Sequence, residues 1–358
     1  MAYRLIIKGN KYIMQWLSQY FVFLAETVTI VIAIFVVLLF IFAQKKKSMP
    51  TGSFEIKDIT EEYQNTKEIM LRNIMDDVAT KEFNKQQKQQ RKKEKKQLKQ
   101  AQKSQSDNTN HNKPNCYVLS FNGSVDAHEV EDLRQEVTAI ISIIKPEDKV
   151  LLKLESPGGV VHGYGLAASQ LLRFRQRDID LTAVVDKVAA SGGYMMACTA
   201  NKIIAAPFAI IGSIGVVAQI PNFHRLLKKN DIDIELQTAG QYKRTLTMFG
   251  ENTEEGRKKF QQELEETHLL FKDFVFENRP NVDIQEVATG EHWFAVQAKE
   301  KGLVDEINTS DDVILSLIDS YKIISVKYHR RKKITERLAK NIVSGIEKLC
   351  FRNSRTIY

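Results

Sequence analysis

A serine preceded by small residues and followed by paired glycines is the first place where this chain could do chemistry. Residues 186–197 read DKVAASGGYMMA, and the β-rich run LTAVV (181–185) leads into them. Ala189 and Ala190 are small, and Ser191-Gly192-Gly193 opens a run of helical character. A strand, a glycine-assisted turn and a helix start would present Ser191 Oγ at the positive end of a helix, where developing negative charge is stabilised. A serine hydroxyl is a weak nucleophile alone and needs a base. The same residue would serve equally as a plain helix N-cap.

Histidine is the default base for serine. The chain has seven, at 111, 128, 162, 224, 268, 292 and 329. His111 falls in a lysine-rich stretch and His329 in a basic tail. His128, His268 and His292 sit on or beside expected helices, and only His162 and His224 lie near expected loops. None stands in an active-site motif. Lys243 is the other candidate, since it follows an expected strand and a Gly-Gln-Tyr turn and precedes Thr245. A lysine brought into an apolar site loses pKa by desolvation and can accept a proton near neutral pH. Without such a site it is an ordinary surface lysine.

These residues need elements to hold them. CYVLSF (116–121), KVLLKLE (149–155) and LTAVV alternate with helical stretches, Asp126 to Ile144 and Val160 to Arg177, with SPGG (156–159) as a turn. In the first helix Val130, Leu133, Val137, Ile140, Ile141 and Ile144 share a face. Such alternation implies a parallel α/β arrangement. The apolar run 203–220, broken by Pro207, Gly212 and Gly215, is expected as buried strand and loop. IDIELQTA within 231–243 is expected as a strand. A long helix is expected over 253–278, capped by Thr253, with Leu264, Leu270, Phe271, Phe274 and Val275 inward. Residues 290–307 are expected as turn, helix and strand.

The chain of 358 residues carries a net charge of +8. Residues 81–113 hold eleven lysines and arginines against three acids, which accounts for the whole excess and leaves the remainder near neutral. A basic balance concentrated in one polar stretch is poor evidence for a nucleic-acid surface. Three widely spaced cysteines imply neither a disulfide framework nor metal spacing. Residues 20–43 form an apolar run with a single charge, Glu26, long enough to cross a bilayer. The resulting division is an N-terminal tail (1–19), a transmembrane anchor (20–43), a juxtamembrane region (44–80), a Lys/Gln-rich linker (81–113), a globular α/β domain (114–328) and a basic amphipathic C-terminal helix (329–358). The flanking charges lean towards a cytoplasmic C-terminal side.

Five segments in order carry a resemblance: ESPGG (155–159), VAASGGYMMA (188–197), IGSIGV (211–216), QYKRTLTMFGENTEEGR (241–257) and GEHWFAVQAKEKGLVDEI (290–307). Together they resemble the protease IV / signal peptide peptidase A family of membrane-bound serine peptidases, closest to its SohB-type branch. The resemblance implies a Clp/crotonase-like α/β fold and a Ser–Lys dyad, with Ser191 as nucleophile and Lys243 as base. It implies that Ser213 orients the lysine, and that Gly158, Gly159 and Gly192 form the oxyanion hole. No metal or cofactor is implied. Expected partners are a peptide or protein substrate, the lipid bilayer and further copies of the chain, because many family members carry two tandem domains and this chain has one. The family's usual placement puts the domain on the periplasmic side of the bacterial inner membrane, against the flanking charges. A catalytically silent membrane scaffold of the same fold and, more distantly, a crotonase-type acyl-CoA enzyme are the competing readings.

Overall fold

Continuous apolar runs mark strands that are buried on both faces, the signature of a parallel sheet. In the computed structural model, which describes residues 20, 22–35, 37, 52–76, 78–85, 88–89, 92–93, 96 and 113–330, those runs form its centre. β1 (Gly52–Asp58) and α1 (Ile59–Ile74) come first. They are followed by β2 (Asn115–Asn122), α2 (Val130–Ile141), β3 (Lys149–Glu155), α3 (Val161–Arg175) and β4 (Asp180–Val185). Next come β5 (Val188–Ala190), α4 (Gly192–Ala197), β6 (Lys202–Ala205), β7 (Ile210–Gly212) and α5 (His224–Lys229). The remaining elements are α6 (Glu254–Asn278), α7 (Ile284–Val287), β8 (His292–Phe294), α8 (Ala295–Glu300), β9 (Glu306–Ile307), α9 (Ser310–Leu317) and β10 (Lys322–Arg330).

Seven strands make one sheet in the order β1-β10-β2-β3-β4-β6-β9. From β10 to β9 every pairing is parallel. Adjacent residues point to opposite faces of a strand, so Leu152 and Leu154 enter one core with Leu119, Tyr164 and Phe174. Leu151 enters the other, with Val118, Val184, Val313 and Ile323. A second sheet, β5-β7-β8, joins the first through a bridge between Ser156, just past β3, and Ala189 of β5.

The α/β alternation follows the pattern expected from the sequence, and the run 203–220 resolves into β6, β7 and a loop, with Ile203, Ile204, Ala205, Ala209, Ile211 and Ile214 buried and Phe208 82% exposed. Three expectations are corrected. IDIELQTA forms no strand: Ile232, Ile234 and Leu236 are each about half exposed, because an alternating segment without a neighbouring edge has nothing to satisfy its backbone. Leu270 of α6 is 70% exposed, and only Phe271 and Val275 of that helix are buried. His329 and Arg330, expected to open the C-terminal helix, instead complete β10, and 331–358 lie outside the described residues. β1 and β8 had no counterpart in the sequence reading.

The chain divides into two units, one of residues 1–53 and 331–358, the other Phe54–Arg330. In the first, residues 22–35 are helical and all exposed. Among the described residues no helix is long and apolar enough to cross a membrane, so the span expected over 20–43 is not found, and part of that run lies outside the described residues.

Glu136 interrupts the apolar face of α2 and is buried, accepting from the Tyr328 N–H of β10 at 2.8 Å with Lys327 3.7 Å away. Burial pushes its carboxyl above the ordinary value of 4.5, against the pull of the Tyr328 N–H and Lys327. The folded state then holds this proton more tightly than the unfolded chain, so its contribution to stability is present below pH 4.5 and is lost as pH rises. Glu136→Gln keeps the acceptor and removes that loss. Its urea midpoint relative to wild type should rise between pH 4.5 and 7; a constant offset across that range contradicts this account.

Candidate active site

β5 and β7 run parallel, with Ala190 beside Gly212. One residue beyond each strand stands a serine, Ser191 and Ser213, and both adopt φ 51°. Parallel neighbours lie about 4.8 Å apart, so the two serines leave their strands side by side. The Ser191 N–H donates to Gly212 O at 2.8 Å, and the Ser213 N–H donates to Glu291 O at 2.6 Å. A positive φ on a non-glycine residue costs about 1–3 kcal/mol and persists where surrounding structure enforces it. Here the paired strands enforce it twice.

Ser191 precedes α4 with ψ −121°, and its side chain makes no capping hydrogen bond. The plain N-cap reading therefore fails: the hydroxyl is not used by its own helix. Among the described residues no protein group bonds Ser191 Oγ.

The SPGG turn packs against this serine. Ser156 is fully buried, and Gly158 has φ +88°. A Cβ on Gly158 would stand 2.7 Å from Ser191 Cβ and 2.8 Å from both Ala190 O and Gly192 N. Only glycine permits that approach and that dihedral. The Gly158 N–H already donates to Ser156 Oγ at 3.1 Å. Among the described residues the N–H groups of Gly159 and Gly192 have no acceptor, which leaves them as the available donors at this turn.

Lys243 lies elsewhere in the site's economy of contacts. It is exposed, in a loop where its own N–H donates to Gly240 O at 3.2 Å. Tyr242 holds the loop to the start of α6 through Glu255 (3.4 Å) and Lys259 over its ring (5.6 Å). Among the described residues no hydrogen bond or ion pair joins Lys243 Nζ to Ser191, Ser213 or any other group. The structure thus brings Ser191, Ser213, Gly158, Gly159 and Gly192 together and does not tie Lys243 to them within one chain.

The histidines do not replace it. His128 bonds Ser124 and Asp126, and His329 bonds Glu55. His162 is exposed and His224 opens α5. Two lie closer to the serines than the sequence suggested. His292 is paired with Gly212 across β7 and β8, and His268 Nε2 donates to Ile214 O at 3.2 Å. His268 braces the turn after Ser213 from α6, and no local pattern marks it. None bonds Ser191. Burial pushes the Cys116 and Cys198 thiols up to about 12, which removes them as nucleophiles.

Against known families, residues 15–171 match Peptidase family S49 N-terminal and residues 173–323 match Peptidase family S49. A Haemophilus influenzae protein named "Probable protease SohB" is 52% identical over 326 residues, 90% of this chain and 92% of that protein. A Buchnera aphidicola protein of the same name is 49% identical over 334 residues, 93% of this chain and 96% of that one. "Putative signal peptide peptidase SppA" of Enterococcus faecium is 32% identical over 178 residues, 48% of this chain and 52% of that protein.

Gly158→Ala should lower peptide hydrolysis about 100-fold or more, since it displaces Ser191 and the N–H donors beside it. Gly165→Ala in α3, where a Cβ meets nothing within 4 Å, should leave hydrolysis unchanged and raise stability by about 0.5–1 kcal/mol. Steady-state kinetics and urea unfolding of both variants check this; equal activity in the two contradicts it.

Proposed function

The chain belongs to peptidase family S49, and from that premise we propose that it is a membrane-anchored serine endopeptidase working through a Ser–Lys dyad. The observation that carries the proposal is Ser191: a strained, uncapped serine pressed against a glycine turn, with two unpartnered N–H groups beside it. Ser191 Oγ attacks the scissile carbonyl and Lys243 takes its proton. The Gly192 N–H and the Gly158–Gly159 turn, through Gly159, hold the oxyanion, each donor worth about 3 kcal/mol. Lys243 then protonates the leaving amine, and a water hydrolyses the acyl-enzyme. Ser213, emerging beside Ser191, orients the lysine.

A lysine serves as a base near neutral pH only when it is removed from water. Lys243 is exposed in the single chain, so the proposal includes assembly. Residues 217–249 present Val217 at 90% exposure and Leu226, Ile232, Ile234, Leu236 and Phe249 about half exposed. Exposed apolar residues concentrated in one stretch of chain support an interaction site, and a homo-oligomer that covers it would also desolvate Lys243. The substrates proposed are extended, membrane-proximal peptides, such as signal-peptide remnants or misfolded envelope proteins. The 24-residue apolar run 20–43 is long enough for a bilayer's hydrocarbon core of about 30 Å, and it supports a single-pass anchor in a bacterial inner membrane with the peptidase on the periplasmic side.

Detergent-purified protein should hydrolyse casein and short peptides. Ser191→Ala and Lys243→Ala should each lower kcat at least about a thousand-fold at matched oligomeric state, and His292→Ala should retain it. Activity surviving in Ser191→Ala overturns the mechanism. An inactive wild type that still binds a partner favours the silent scaffold. For the anchor, the protein should stay with the membrane through alkaline carbonate washing, and a variant lacking residues 1–43 should not; release of the full chain overturns the anchor.

A further inference from the structure

Tyr164 is fully buried in α3, yet it touches Ser156 of the turn that faces Ser191 and the backbone of Gly192 just after Ser191. Its hydroxyl donates to Ser124 O at 2.9 Å and lies 2.5 Å from Ser156 Oγ. A phenol has one proton, and here the Ser124 carbonyl takes it. Ser156 must then donate to Tyr164 and accept from the Gly158 N–H at 3.1 Å. The result is a one-way chain: Gly158 N–H to Ser156 Oγ–H to Tyr164 Oη–H to Ser124 carbonyl. Aligned bonds of this kind strengthen one another in a dry interior. Burial pushes the phenol's titration up, which keeps the donor protonated.

The ring makes the second contact. A Cβ on Gly192 would stand 2.3 Å from Tyr164 Cγ, so the Gly192 backbone rests on the aromatic face. The Ser124 end of the chain is itself anchored, because Val160 N donates to the neighbouring Val125 O at 2.9 Å. A tyrosine serving only the core would be satisfied by the Ser124 carbonyl. The onward link through Ser156 to Gly158 joins it to the site.

We propose that Tyr164, acting through Ser156, is a positioning residue that sets the Gly158–Gly159 turn and the Gly192 N–H at the spacing the oxyanion requires. The inference rests on the serine-peptidase reading for its catalytic consequence, while the strut itself is a property of the fold. Tyr164→Phe keeps the ring under Gly192 and removes only the hydroxyl; Ser156→Ala breaks the same chain one link along.

Two measurements on the full-length protein decide it. In hydrogen–deuterium exchange, peptides covering 156–160 should exchange about three- to tenfold faster in both variants than in wild type, with 149–155 unchanged, as expected for one lost hydrogen bond. Unchanged exchange at 156–160 overturns the strut, whether or not the wild type hydrolyses anything. In peptide kinetics, kcat should fall about 10- to 100-fold with KM within about twofold, because the lost contact acts only on the transition state. Inhibition by a peptide aldehyde, which forms a tetrahedral adduct, should weaken in parallel. Faster exchange with wild-type kcat overturns the positioning role. A wild type that is itself inactive sinks the peptidase reading, and the exchange result still settles the strut.

Discussion

The site depends on one piece of strand pairing. Because β5 and β7 lie parallel with Ala190 against Gly212, the residues that follow emerge next to each other, and both are serines held at positive φ. That conformation is unfavourable for any residue with a side chain. It is maintained by the Ser191 N–H bond to Gly212, which ties the first turn to β7, and the Ser213 N–H bond to Glu291, which ties the second to the residue before β8. Slipping the pairing by one residue would turn every side chain of the short strand to the opposite face, and the hydroxyl would no longer meet the SPGG turn.

The larger sheet makes such strain affordable. β3 delivers Ser156 into the bridge with Ala189, so the glycine turn and the serine turn are anchored to the same buried strand. Leu152 and Leu154 of that strand are buried in the main core with Tyr164, and close packing of this kind transmits small displacements rather than absorbing them. Within α3, Tyr164 is the residue that meets both Ser156 and the Gly192 backbone, whereas a Cβ on Gly165 meets nothing within 4 Å.

Lys243 is held differently. It belongs to a stretch that gives its apolar side chains to solvent, and its loop is attached to α6 by the exposed contacts of Gln241 and Tyr242 with Glu255. Exposed polar contacts are worth little individually. The serine turn is fixed by backbone bonds within one chain, whereas among the described residues no side-chain contact fixes Lys243. The unpaired IDIELQTA segment makes the same point: its alternation suits a strand, and among the described residues no strand pairs with it.

Much of the fold was legible in the residue pattern because burial on both faces forces continuous apolar runs and a helix of 3.6 residues per turn forces a stripe. KVLLKLE, LTAVV and the Val130–Leu133–Val137–Ile140 stripe have few other ways to leave water. The serine turn was legible for a related reason: small residues and paired glycines mark a close backbone approach, here Gly158 on Ser191 and Gly192 on Tyr164. The roles of Tyr164, Ser156 and His268 were not legible, since their partners, Ser124, Gly158 and Ile214, are set by packing between separate elements. The buried Glu136 was hidden likewise, because its partner, the Tyr328 N–H, is 192 residues away. The sequence by itself determined the central strands KVLLKLE and LTAVV, the helix stripes between them and the glycine-rich turn at Ser191, because those follow from local periodicity and steric size. Only the tertiary structure decided which serine side chain is left free, which N–H groups have no acceptor and whether the lysine is buried, because each depends on which distant segments close around it.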